Sequence, residues 1–401
     1  MKLSSLLLVT SASLPATSAW PAMKQQLNAV LARAPQAAED DVNTRMIGDL
    51  KNGATTAVGK SIQNILLKKE SAQSKATYMP PLLAFSGSAA CKKDTCELES
   101  IPFLNLARWD PSLTHFPLTG CQWFYVSQAM TAYFTGLISF NGLPTVNCND
   151  AARAAIRLAF HDAGTWSSTG SDFGGADGSI VLAASEIGRA DNRGLQSIAK
   201  QMISWQKQFG VGMADLIQFA AAHAVVTCPL GPRMRVWVGR KDSSVPAPEG
   251  LLPDARASAE SLINLFEDKT ISPHELVALL GAHGNSKQRF FDASKAGAPQ
   301  DSSPGTWDTL YYNQTVDGSG GDVLVRFPSD VALAEHPKCK DEWTEFRKKD
   351  AQGHWNEDYA AANTRLSLLG VNNINQLKEC SGVLPPVKPL GIAIVPSRNS
   401  I

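Results

Sequence analysis

The chain has 401 residues, 44% of them hydrophobic, with 37 basic and 37 acidic side chains and a formal net charge of zero. That length holds one large domain or two lobes around a sizeable core, and the charge balance excludes a general attraction to nucleic acid or to an anionic membrane. The seven cysteines include no C-x-x-C pair, which argues against a zinc ribbon. Lys2, the run Leu6-Leu7-Leu8-Val9 and then Ala16-Thr17-Ser18-Ala19 read as a secretory signal peptide over residues 1–19, too short in its apolar part to span a membrane. Secretion predicts paired cysteines, with one left over from an odd count, and permits glycosylation at the sequon Asn313-Gln314-Thr315.

Further along, Met23, Leu27, Val30 and Leu31, then Met46, Leu50, Val58, Ile62, Ile65 and Leu66, recur at helical spacing with Gly53 between them. This predicts two amphipathic helices that pack on the main domain. Residues 71–120 are rich in proline and predict loops, which a Cys91–Cys96 bridge would pin. The aromatic segment 123–140 is compatible with helix or strand. Asp150 is placed to cap a helix on which Arg157 and His161, four apart, share a face with Phe160 beside them. A base, a fixed cation and an apolar plate on one face suit the splitting of a small polar bond. Downstream, Phe173-Gly174-Gly175-Ala176-Asp177-Gly178-Ser179 offers carboxylate, hydroxyl and carbonyl oxygens suited to calcium, and Asp162, next to His161, is placed to share that ion with Asp177. Helices are predicted over 194–209, 213–227 and 258–266, with proline-rich turns from 229 to 253. Ser272-Pro273-His274-Glu275 is a capping box opening an apolar helix that ends at Gly281-Ala282-His283-Gly284.

The pair Arg157-x-x-Phe160-His161-Asp162 and Gly174-Gly175-Ala176-Asp177-Gly178-Ser179 resembles the distal haem side of the secreted fungal class II haem peroxidases. The resemblance covers roughly residues 147–384. It implies an all-α fold of two helical lobes enclosing haem b, with a haem peroxidase domain over 146–386. Residues 20–145 are then an N-terminal extension, helical and then loop-rich, and 387–401 a C-terminal tail. His283 would be the axial iron ligand, and Asp330, in Arg326-Phe327-Pro328-Ser329-Asp330, would accept its other ring N–H. His161 and Arg157 would be catalytic, beside Phe160, with Asn192 taking the His161 Nδ1–H and Glu186 matching a further distal residue. A distal calcium would bind Asp162, Gly175, Asp177 and Ser179. A proximal one would bind Gly284, Asp301, Ser303, Thr306 and Asp308, more weakly, because the family usually has Ser or Thr where Gly284 stands. Gln300 is a second departure, at a position where the family has an aromatic residue. Cys148–Cys228 and Cys339–Cys380 match two family bridges by position, leaving Cys91, Cys96 and Cys121. Gly239-Arg240-Lys241-Asp242 resembles a structural motif of the same family.

The resemblance implies a secreted, monomeric enzyme that reduces hydrogen peroxide and oxidises small phenolic or dye-like reductants, without nucleic-acid or membrane partners. The positions that bind Mn²⁺ in some family members read Asp150, Ala154 and Arg289, an inadequate acidic clamp. The surface Trp that relays electrons from bulky aromatics is replaced by Ala278, with Trp166 and Trp307 as other conceivable relays. Two further readings compete: a secreted calcium-binding protein on the same fold without turnover, and a zinc hydrolase, which lacks His-Glu-x-x-His.

Overall fold

The computed structural model describes residues 45–76, 122–135, 147–170 and 173–390, with the backbone of two short strands at 89–91 and 98–100. The signal peptide, most of the first predicted helix and the side chains of Cys91 and Cys96 lie outside the described residues. Thirteen α-helices run through the described part. They are α1 (Ala57–Leu66), α2 (Gln122–Thr135), α3 (Asp150–Ala163), α4 (Ser179–Leu182), α5 (Ala184–Ile187), α6 (Gln196–Phe209) and α7 (Met213–Thr227), then α8 (Ala259–Asp268), α9 (Pro273–Leu280), α10 (Leu310–Asp317), α11 (Pro328–Glu335), α12 (Pro337–Phe346) and α13 (Gln352–Leu366). Strands are minor. β1 (Ala89–Cys91) pairs antiparallel with β2 (Leu98–Ser100) inside the stretch expected to be loops, and β3 (Trp237–Val238) pairs with β4 (Lys378–Glu379). Among the described residues no single helix is long and apolar enough to cross a membrane.

Local chemistry sets several helix starts. Thr56 and Ser258 cap α1 and α8 through their hydroxyls, and Ser272 with Glu275 closes the expected capping box on α9. The aromatic segment is helix over its described part, α2. The cap of α3 is Asn149 rather than Asp150: the Asn149 Oδ1 accepts from the amides of Ala151 and Ala152, both at 3.0 Å. Asp150 is thereby the first helical residue, with its carboxylate left over for Arg153. Every residue of α7 is buried, as expected of a helix apolar nearly all round. Its exposed amides are met from afar: Asp242 of the Gly239-Arg240-Lys241-Asp242 motif accepts from Met213 N at 2.8 Å and Ala214 N at 2.9 Å. Arg240 pairs with Asp215 at 3.1 Å and donates to the Ser367 carbonyl beyond α13.

Two helical groups result. In one, α3 lies along α7 with α2 and α6 beside them; in the other, α9 packs on α13, α12 and α8. The Cys148–Cys228 disulfide joins the start of α3 to the end of α7, as the resemblance implied. The second implied bridge, Cys339–Cys380, is not formed. Cys339 is a free, buried thiol in the first turn of α12, pushed up to about 11 chiefly by burial. Cys380 is disulfide-bonded to a different cysteine, and its amide donates to Val236 beside β3, so position in the chain misassigned its partner. The sequon Asn313 lies in α10, where its Nδ2 donates to the Arg347 carbonyl at 3.3 Å and Thr315 is buried. A glycan there requires that contact to open.

The described N-terminal residues belong to the same core: Met46, Ile47, Leu50, Ile62, Ile65 and Leu66 are buried in it. A polar joint fixes them. Arg365 of α13 is fully buried and donates to Glu275 Oε1 at 3.0 Å, to the Arg45 carbonyl at 2.8 Å and to the Leu66 carbonyl at 3.2 Å. Arg45 reaches the same Glu275 oxygen at 3.1 Å. Burial works to raise the Glu275 pKa, but the two guanidinium groups outweigh it and hold it at about 2. A second network joins α9, α12 and α13, with Glu342 between His274 (3.2 Å) and His354 (3.4 Å), and His354 on Asp358 at 2.9 Å.

Candidate active site

Arg157 and His161 project from one face of α3, as their spacing predicts. The Arg157 Nε donates to His161 Nε2 at 3.2 Å, while its terminal nitrogens donate to the carbonyls of Arg193 (2.9 Å) and Asp191 (2.8 Å). His161 Nδ1 donates to Asn192 Oδ1 at 2.9 Å, and Asn192 is itself oriented by donating to the Glu186 carbonyl at 2.8 Å. This fixes the tautomer: Nδ1 carries the proton and Nε2 is a lone-pair base. Burial and then the Arg157 charge push the imidazole pKa down to about 3, against the opposing Asn192 bond. Phe160 lies edge-on to His161 and stacks on Phe266 of α8.

Across the gap, α9 tightens into a 3₁₀ turn at Gly281–Asn285 that carries His283. His283 Nδ1 donates to Asp330 Oδ2 at 2.9 Å, leaving Nε2 for a ligand. Tyr311 and Phe327 stand edge-on to its ring. Burial works to lower the His283 pKa, but the charge and hydrogen bond of Asp330 prevail and raise it. His161, Arg157 and Phe160 share with His283 the walls of one cavity of about 760 Å³, lined also by apolar side chains such as Leu276, Leu280 and Phe327. Ligand pockets typically measure about 300–1,000 Å³. A cleft with a free imidazole nitrogen on one wall and a base with a cation on the other fits a flat, largely apolar macrocycle holding an iron.

The family model described as peroxidase matches residues 143–349. The chain is 33% identical over 270 residues to manganese peroxidase H4 of Phanerodontia chrysosporium, covering 61% of this chain and 70% of that protein. It is 30% identical over 304 residues to a peroxidase of Arthromyces ramosus, covering 68% and 80%, and 31% identical over 278 residues to ligninase C of Trametes versicolor, covering 63% and 74%. The chain belongs to the fungal class II peroxidase family. It is therefore a haem peroxidase, an oxidoreductase that uses hydrogen peroxide to oxidise a reductant, and the helical fold is that of the family.

The peroxidase also brings both predicted cation loops together. On the distal side, Asp162 and Ser179 are fully buried and Asp177 half-buried, and Asp162 Oδ1, Ser179 Oγ and Glu186 Oε1 have no hydrogen-bond partner. Burial, then the neighbouring Asp177 charge, drives the Asp162 pKa well up; burial also raises those of Asp177 and Glu186. Gly175, at φ +101°, is obligatory: a Cβ there would come within 2.3 Å of the Leu369 carbonyl. Orphaned oxygens and mutually repelling buried carboxyls fit a divalent cation. On the proximal side Asp301, Ser303, Thr306 and Asp308 form one loop, with Ser303 donating through its amide to Asp301 and through its hydroxyl to Asp308. Asp301 Oδ2 is buried and unpaired, and lies 2.8 Å from where a Cβ on Gly284 would stand. The glycine thus does more than lack a hydroxyl; it leaves room for the Asp301 carboxylate.

At the Mn²⁺ position, Asp150 is bound to Arg153 and lies 3.6 Å from Arg289, so its charge is already met. Ala278 is buried, and so is Trp307, stacked on Trp355. Trp307 is therefore no surface relay. Sequence reasoning missed two contacts. One is the Arg153 pairing, three residues from Asp150 on the same helix and open to an i, i+3 reading. The other is the bond from Gln300 to Asp330, for which no local signal exists.

Proposed function

We propose that this peroxidase is a secreted enzyme that holds haem b and calcium through residues 146–386 and oxidises small phenolic or dye-like reductants. When bound, the haem supplies an iron that takes peroxide and a conjugated ring that accepts electrons one at a time. His161 Nε2 removes the proton from the incoming peroxide and delivers it to the departing oxygen, as base and then acid. Arg157, permanently charged and beside that nitrogen, stabilises the negative charge developing on the leaving oxygen. His283 Nε2 would hold the iron, and Asp330 would make it a stronger donor by accepting its Nδ1–H. Several relatives are named manganese peroxidases; for this chain the neutralised Asp150, together with Ala154 and Arg289, favours organic reductants instead.

The observation that carries this reading is the single cavity bounded by His161 and His283, each held in one tautomer by its own partner. The test is the absorption spectrum of the purified protein before and after one equivalent of peroxide. A Soret band that shifts within the mixing time is expected for the native protein and not for His161→Leu. A band that ignores peroxide in the native protein overturns the reading in favour of a calcium-binding protein without turnover.

A further inference from the structure

Asp330 is shared. Its Oδ2 accepts from His283 Nδ1 at 2.9 Å and also from Gln300 Nε2 at 3.1 Å, while Oδ1 accepts from Ser329 at 3.2 Å. Gln300 is 2% exposed and Asp330 1% exposed, so water does not compete for these bonds. The amide orientation follows from chemistry: an ionised carboxylate only accepts, so the nitrogen of Gln300 must face it. The amide oxygen then accepts the hydroxyl of Ser286, whose own amide donates to the His283 carbonyl at 2.9 Å. His283, Asp330, Gln300 and Ser286 therefore close a ring of hydrogen bonds around the proximal ligand. The nearby Tyr311 phenol stays protonated, raised by burial and then by the Asp330 charge.

We infer that Gln300 is a positioning residue that weakens the proximal imidazole as a donor to iron, by competing with it for the same carboxylate oxygen. A carboxylate that already holds one neutral donor has less charge to draw on the imidazole N–H. The imidazole keeps more of its neutral character and pushes less electron density through Nε2. Hydrogen bonds polarise one another, so the Ser286 hydroxyl on the amide oxygen makes the Gln300 N–H a stronger competitor. Fe(III) is then less stabilised relative to Fe(II), and the oxidised enzyme draws electrons from phenols that are harder to oxidise. This rests on His283 being the axial ligand.

The experiment measures the Fe(III)/Fe(II) potential by spectroelectrochemistry and the Fe–His stretching frequency of the ferrous protein by resonance Raman. The proteins compared are native, Gln300→Leu, the more nearly isosteric Gln300→Met, and Ser286→Ala. Both Gln300 variants are expected to shift the potential to more negative values and the stretch to higher frequency, with the haem content unchanged. Ser286→Ala should move both in the same sense by less. Unchanged values in either foldable Gln300 variant, or shifts of opposite sign, overturn the inference. The underlying reading is checked separately by His283→Gly: if the native Fe–His stretch survives that change, axial ligation by His283 is wrong, whatever Gln300 does.

Discussion

His161 is held neutral by two influences of the same sign, burial and the Arg157 charge, with a pKa at about 3. Peroxide activation requires the neutral base, so its rate should stay flat from pH 7 to near 5 and fall only as the pH approaches 3; stopped-flow rates across that range check this. His161→Leu should retain haem and lose activation by about 10²–10⁴-fold, the usual worth of a positioned acid–base group, with Arg157→Leu losing less. Asp150 illustrates the opposite case, a charge spent on its neighbours. Native protein should show no saturable Mn²⁺ oxidation, and the double change Ala154→Glu with Arg289→Asp should introduce it, read by steady-state turnover on Mn²⁺ and on a simple phenol. Arg157 and His161 were legible because α3 presents them at a fixed interval, and a helix turns interval into direction. Gln300 and Asp330 are thirty residues apart on separate elements, and no periodicity joins them.

At the scale of elements, α9 carries the most. Its first turn holds Glu275 and its end leads into His283, so the helix connects the Arg45–Glu275–Arg365 joint to the proximal ligand. Glu275→Ala leaves the buried Arg365 guanidinium without its carboxylate and removes half the capping box. Breaking a buried pair from one side costs about 3–5 kcal/mol, and a denaturant titration with intact slope should show a loss of that order. The capping box itself was readable, because its partners lie three residues apart. The other oxygen of Glu275 was not, since its partners come from residues 45 and 365. The same limit explains the disulfides. Both pairs were expected from the family resemblance alone; Cys148–Cys228 forms at the outer ends of α3 and α7, whereas Cys339 opens a helix whose neighbours sequence spacing does not reveal.

Over the whole molecule, buried charge decides the response to pH and to chelation. Burial pushes Asp301 up to about 8, against the pull of the Ser303 amide and with help from the Asp308 charge. Its folded value exceeds the unfolded one, so without calcium it contributes stability that is full below about pH 4 and is lost as the pH rises toward 8. A calcium ion bound by Asp301 would replace the proton and remove that loss. The Tm of chelated protein should therefore fall between about pH 6.5 and 8, above the range where histidines of the unfolded chain take up protons, while that of calcium-loaded protein should not. At the acid end the sign reverses. His223 is buried on α7 between Thr131 and Thr227, and burial holds its pKa at about 3. The unfolded chain takes that proton first, so stability drops as the pH falls below about 6.5, by about 1.4 kcal/mol per unit. His223→Gln should flatten this slope in acid unfolding followed by circular dichroism.

The joint at Glu275 also separates what can be recognised from what can fold. The segment matched by the family model ends at residue 349, and the first described helix lies far upstream of its start at 143. A recombinant fragment cut at those limits would lose α13 and with it Arg365, and would lose Arg45 and the Leu66 carbonyl that Arg365 holds. The face of α9 that α13 covers would be bare, and Glu275 would be left with no guanidinium beside it. For this chain the smallest unit worth expressing starts ahead of residue 45 and runs past α13, well beyond the part that resembles its relatives.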